Sequence, residues 1–119
     1  MALRRSDQQE LLERLMREAS AALRHLRGRL AGGDDPPTGI GDEARSAIAA
    51  LLGDEAPVLT MLDPVTAVRL IGHPERVALW AQLVDVEADA ALAAGDSGLA
   101  ASRGARAAGL RAALDGARR

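Results

Sequence analysis

The stretch AALAAGDSGLAASRGARAAGLRAAL, Ala90 to Leu114, decides the fold. It reads either as alanine-rich filler or as two helices meeting at a tight turn. Gly95-Asp96 interrupts the helical periodicity, and Asp96 or Ser97 is a suitable N-cap for a helix beginning there. Downstream, Leu99, Leu110 and Leu114 fall on one helical face. Ala100, Gly104 and Ala108 recur at helical spacing, as do Ala101, Ala105 and Gly109. Each interior glycine costs about 1 kcal/mol relative to alanine. A neighbouring helix offsets that cost if it comes close enough to gain dispersion contacts. The stretch therefore reads as a turn and second limb within a helix hairpin over 74–115, and these six small residues form a candidate helix-docking surface.

The first limb, PERVALWAQLVDVEADAALAA, opens on Pro74, which suits a first helical turn. Its polar arc is narrow: Glu75, Gln82, Asp85 and Asp89. Apolar stripes flank it on both sides, one with Leu79, Leu83, Val86 and Ala90, the other with Val77, Trp80, Ala81, Val84, Ala88 and Ala91. A helix apolar around most of its circumference is central, touched on two sides. Asp85 and Asp89 share a face, but that face is the polar arc, so they read as solvated rather than as an acid–base pair. Glu87 points between the stripes and Arg103 falls within the leucine face of the second limb. Buried charges need partners, so Glu87 and Arg103 are expected to form a structural ion pair across the hairpin.

Outward from the hairpin, DQQELLERLMREASAALRHLRGRLA predicts an N-terminal amphipathic helix over 7–31. Its stripe is Leu11, Leu12, Leu15, Met16, Ala19, Leu23, Leu26 and Leu30, and Ser6 or Asp7 is a candidate cap. That stripe is expected to dock on the hairpin. GGDDPPTGIG, 32–41, reads as a linker, because paired prolines and four glycines interrupt a helix. Short helices are expected over 42–72: one capped by Asp42 and stopped by Gly53, then about 56–62 and 64–71, with Asp63 and His73 at cap positions before prolines.

The chain has 119 residues, enough for one domain with a core of its own. That core has no Phe or Tyr and one Trp. The absence of cysteine removes disulfides, thiolate catalysis and cysteine zinc sites. All basic residues are arginine, which removes Schiff-base lysine chemistry and the P-loop lysine. His25 and His73 lack the spacing of a metal motif. No cofactor or metal is expected. No apolar run is long enough for a membrane span, no signal-peptide core is present, and the expectation is a cytoplasmic protein. Net charge is −2, unevenly placed: 1–31 carries +3, 32–96 carries −9 and 97–119 carries +4. Basic outer helices flanking an acidic middle is the simplest account, and nucleic acid or membrane binding through the terminal Arg clusters is the less favoured one.

Set on the Gly95-Asp96 turn, the small residues Ala88, Ala100 and Ala107 fall where a tetratricopeptide repeat has them, so the hairpin resembles one such unit. Ala91 and Gly104 stand where that repeat carries larger aromatic residues. The order of segments over about 7–114, with AIAALLG, LTMLDPVTAVRLI and the hairpin, also resembles an uncharacterised bacterial family of small helical proteins. That resemblance implies an all-helical fold and no assigned activity.

The sequence thus predicts an all-α domain of five to six helices. Its leading functional reading is a non-enzymatic helical interaction module with a protein partner or a second copy of itself. The competing readings are a small-ligand binder or enzyme with a pocket near Trp80, Arg103 or His25, and a binder of anionic surfaces. A structure with no cavity near Trp80, Arg103 or His25 would count against the ligand reading.

Overall fold

The computed structural model describes residues 5–118, which form helices α1 (Arg5–Gly32), α2 (Pro37–Leu52), the single turn α3 (Ala56–Leu59), α4 (Pro64–Ile71), α5 (Pro74–Ala93) and α6 (Ser97–Ala117). No strand is present among the described residues. The all-α class follows from the 3.6-residue periodicity of every apolar segment.

Helix α5 is central. It packs most extensively against α6, then α2, then α1. Its two apolar stripes are buried on both sides, and Val77, Trp80, Leu83, Val84 and Val86 are each almost fully enclosed. Gly95 takes a positive φ of 83°, and Asp96 Oδ1 accepts the Leu99 N–H at 3.0 Å, closing the α5–α6 turn. Asp63 caps α4 through the Thr66 N–H, and His73 Nδ1 accepts the Arg76 N–H to cap α5. Pro64 and Pro74 occupy the first turns of these two helices.

Several sequence expectations change. The segment 32–41 is mostly not a linker: only Gly33–Pro36 separates α1 from α2. Pro37 sits in the first turn of α2, where its missing N–H costs nothing, and Ile40 anchors that turn in the core. Gly41 faces α5, where an added Cβ would meet Ala90 Cβ at an ordinary contact distance of 3.6 Å, so glycine is compatible with this helix position but not required by it. Asp42 is accordingly inside α2, where it pairs with Arg45, and is not its cap. Helix α1 is already under way at Arg5, so neither Ser6 nor Asp7 caps it. The helix expected over 56–62 is the single turn Ala56–Leu59.

The α1 stripe docks on α2 and α5, so only one limb of the hairpin receives it. Ala19, Leu23 and Leu26 are buried, while Leu12, Leu15, Met16 and Leu30 are half-buried and Leu11 is exposed. Leu99 also leaves the expected leucine face. Leu110 and Leu114 are buried, but the chain from Leu92 to Leu99 is exposed throughout, because the tip of the hairpin extends past the other helices.

The small residues of α6 divide. A Cβ on Gly109 would lie 2.9 Å from Pro64 Cγ, so the close approach is to α4. A Cβ on Gly104 would meet nothing within 4 Å. Ala100 is half-buried, and Ala101, Ala105 and Ala108 are exposed. Opposite outcomes follow for one substitution at two sites. Gly104→Ala should stabilise the protein by up to about 1 kcal/mol through helix propensity. Gly109→Ala gains the same propensity but forces a rigid proline ring to move, at about 1–3 kcal/mol. Urea unfolding should place Gly104→Ala above wild type and Gly109→Ala below it.

Candidate ligand-binding cavity

A cavity of about 650 Å³ opens where α2, the Gly53–Glu55 turn, α3, α5 and α6 meet. Helical spacing explains which side chains reach it. On α5, Trp80, Val84 and Glu87 lie on one face; on α6, Arg103 and Arg106 do; on α2, Arg45, Ile48 and Ala49 do. Small residues on the wall, Ala49, Gly53 and Ala56, leave the space unfilled.

The three arginines differ in how far they are committed. Arg106 donates to the Leu62 carbonyl at 2.6 Å and the Leu59 carbonyl at 3.0 Å, and its guanidinium lies 5.2 Å from the centre of the Trp80 ring. It closes the carbonyl end of α3 and covers the indole by a cation–π contact. Arg45 lies 2.9 Å from Asp42 and 3.6 Å from Glu87. Arg103 makes no hydrogen bond or ion pair among the described residues, and its Nε is buried without a partner. A buried donor left unmade costs about 1–3 kcal/mol.

Glu87 is buried, with 6 % of its surface exposed. Its ion pair is with Arg45 from α2, not with Arg103 as the hairpin geometry suggests. Arg103 acts on it through space: burial pushes the Glu87 carboxyl above its ordinary range, and Arg103 and then Arg45 pull it back by less. The folded protein therefore holds the Glu87 proton more tightly than the unfolded chain. The stability this contributes is complete below the unfolded carboxyl pKa, about 4.3, and is lost as pH rises through the folded value. Glu87→Gln should match wild type in acid and become the more stable protein at neutral pH. Urea unfolding followed by Trp80 fluorescence at both ends of that range checks the sign.

The direct carboxylate–arginine pair that does cross the hairpin is Asp85 with Arg111, which contact through both guanidinium nitrogens. Asp85 is thus not simply a solvated charge. Asp89 is exposed. At the other end, Arg29 of α1 pairs with Asp35 and Glu43. Part of the basic flank therefore neutralises the acidic middle within the molecule. Of the terminal Arg clusters, Arg4 and Arg119 lie outside the described residues.

His25 is exposed and lines a shallow hollow with Arg24, Asp34 and Asp35. Among the described residues no group of three or more His, Asp or Glu side chains could hold a metal ion, and no helix is long and apolar enough to cross a membrane. A second groove of about 660 Å³ runs between α1 and α5, lined by Glu13, Arg17, Arg24 and Glu75. Its charges are balanced and all four side chains are exposed, so it holds no unmet demand for a ligand.

Sequence reasoning misses Arg45 and Arg106 as members of the site. A signal is present in their spacing, since Arg106 follows Arg103 by one turn and Arg45 precedes Ile48 and Ala49 on one face. Which helix faces Glu87 from across the core is not readable from spacing. The chain matches no protein-family model, no curated protein and no solved structure.

Proposed function

We propose that this chain is a helical ligand-binding protein whose site is the cavity over Trp80. One observation carries the reading. Arg103 stands on the wall of a cavity with its Nε buried and no partner, while every other arginine there is engaged. A cavity of this size falls in the range of small-molecule sites, and it combines an apolar wall with a few convergent polar groups. Among the described residues that line it there is no serine, cysteine or histidine, and the Thr60 hydroxyl donates to the Ala56 carbonyl, so the reading is binding rather than catalysis.

Trp80, the only tryptophan, reports the site directly. Titration with the apolar anion 1-anilinonaphthalene-8-sulfonate should quench Trp80 at one molecule per chain. Ala49 is exposed on the cavity wall, so Ala49→Leu fills the space without disturbing the core. It should abolish binding at unchanged stability. Equal binding by Ala49→Leu would overturn the reading.

A second reading rests on a separate surface. A hollow between α4 and α6 is lined by Val65, which is 50 % exposed, with Gly109 and Ala112. Of the six small residues expected to form a docking surface only Gly109 lies here, and the apolar area would serve a protein partner or a second copy of the chain. A strictly monomeric sedimentation profile at high concentration removes the self-association form of it.

A further inference from the structure

We propose that the ligand of the Trp80 cavity is a monocarboxylate with a small apolar body, its carboxylate held by Arg103 and its body lying against Trp80, Ile48 and Val84. The inference rests on the ligand-binding reading above and specifies its chemistry.

The charge of the site selects a monoanion. Three arginines face the cavity, Arg45 from α2 and Arg103 and Arg106 from α6, against two carboxylates, Glu87 from α5 and Asp54 from the turn before α3. Among these lining groups the balance is one positive charge; Asp42 behind the wall pairs with Arg45, so the unmet charge is that of Arg103. A cationic ligand would meet the free Arg103. A dianion such as a phosphate monoester would bring a second charge against the buried Glu87, in surroundings where repulsion is weakly screened. One carboxylate neutralises the excess.

Geometry points to the same class. Burial and the neighbouring Arg103 charge both press on the Arg106 cation, so an anion near Arg103 relieves two groups at once. Arg106 is held by two carbonyls and the indole, which leaves Arg103 as the arginine free to turn its fork to a ligand. Turned so that Nε and one Nη face the cavity, the planar fork of Arg103 would match the two oxygens of a carboxylate. Apart from Thr60, the uncharged wall is apolar, with Ile48, Ala56, Pro57, Trp80 and Val84. This apolar part suits an alkyl or aryl group; the one hydroxyl on the wall, Thr60, already donates to the Ala56 carbonyl at 2.9 Å.

Four six-carbon probes separate the possibilities: hexanoate, hexanamide, hexyl phosphate and hexylammonium. Each is titrated into the full-length protein by calorimetry, with Trp80 fluorescence as the local readout. Hexanoate should bind best, and hexanamide about tenfold or more weakly. Arg103→Gln should weaken hexanoate about tenfold while keeping the wild-type unfolding midpoint within a small margin. Glu87→Gln should tighten hexanoate, because it removes the anion the ligand faces. If none of the four probes binds, both the cavity reading and this inference fall. If hexyl phosphate or hexylammonium binds as tightly as hexanoate, or if Arg103→Gln leaves hexanoate unaffected, the cavity binds ligands but the monocarboxylate assignment is wrong.

Discussion

Trp80→Ala should destabilise the protein by about 3–5 kcal/mol, lowering the thermal midpoint by about 10–20 °C. The residue is 2 % exposed and is the largest side chain of a core otherwise made of Leu, Val, Ile and Ala. Such a core has few large pieces to move into a vacancy. Leu83 and Val84 are held by the same helix, and Leu110 comes from α6, so a collapse would have to draw two helices together. The pre-existing cavity on one side of the indole makes closure harder still. Truncation also strips Arg106 of its aromatic face. With total stabilities of about 5–15 kcal/mol for domains, the loss would leave the variant marginal. Circular dichroism is the readout, since the only tryptophan is gone. Leu92→Ala is the control: Leu92 is 66 % exposed at the hairpin tip, and its truncation should change stability by less than about 0.5 kcal/mol. A Trp80→Ala midpoint near that of Leu92→Ala would mean that the indole is not a structural member of the core.

The central position of α5 was legible because its apolar residues cover two stripes, and a helix with two such stripes must be covered on two sides. The caps at Asp63, His73 and Asp96 were legible because each depends on a few consecutive residues. The start of α2 was not. Glycine and proline at 32–41 carry the composition of a loop, yet proline in a first turn is compatible with a helix and glycine within one costs only about 1 kcal/mol. The burial of Ile40 decides between these, and it exists only once the other helices are in place. The same limit applies to the site. Helical phase marks Glu87 and Arg103 as partly buried charges, but it does not show that a cavity lies beside Trp80. The partner of Glu87 is Arg45, on a helix far away in sequence, and periodicity does not say which helix fills that side. Likewise Asp85 reads as solvated because its arc is polar, and its pairing with Arg111 depends on the register between α5 and α6.

Arg106→Met should cost about 2–3 kcal/mol and should act first on α3 and the turn after it. The guanidinium reaches from α6 to the carbonyls of Leu59 and Leu62, across a gap in sequence that nothing else bridges so directly. The Leu59 carbonyl ends a single helical turn, too short to hold itself together by its own hydrogen bonds, and the Leu62 carbonyl lies in the turn after it. Hydrogen bonds from a charged donor are worth about 1.5–3 kcal/mol, and methionine keeps the length and apolar stem while removing both. The loss should therefore be local before it is global. The Met61 and Leu62 N–H groups, which donate to the Val58 and Leu59 carbonyls, should exchange with solvent at least about tenfold faster, while the amides of α5 near Leu83 change only by the global amount. Arg106→Lys should recover little, because one ammonium does not span two carbonyls and stack on an indole as a planar fork does. The consequence for binding is specific. Arg106 holds α3 and the indole in place as two walls of the cavity, so its loss should weaken ligand affinity in Arg106→Met and Arg106→Lys alike. In Arg103→Gln the affinity should fall with no change in α3 exchange. Separation of these two signatures would assign wall-building to Arg106 and ligand contact to Arg103. Wild-type exchange together with wild-type affinity in Arg106→Lys would show that positive charge alone, without the two carbonyl contacts, is what the site requires of this position.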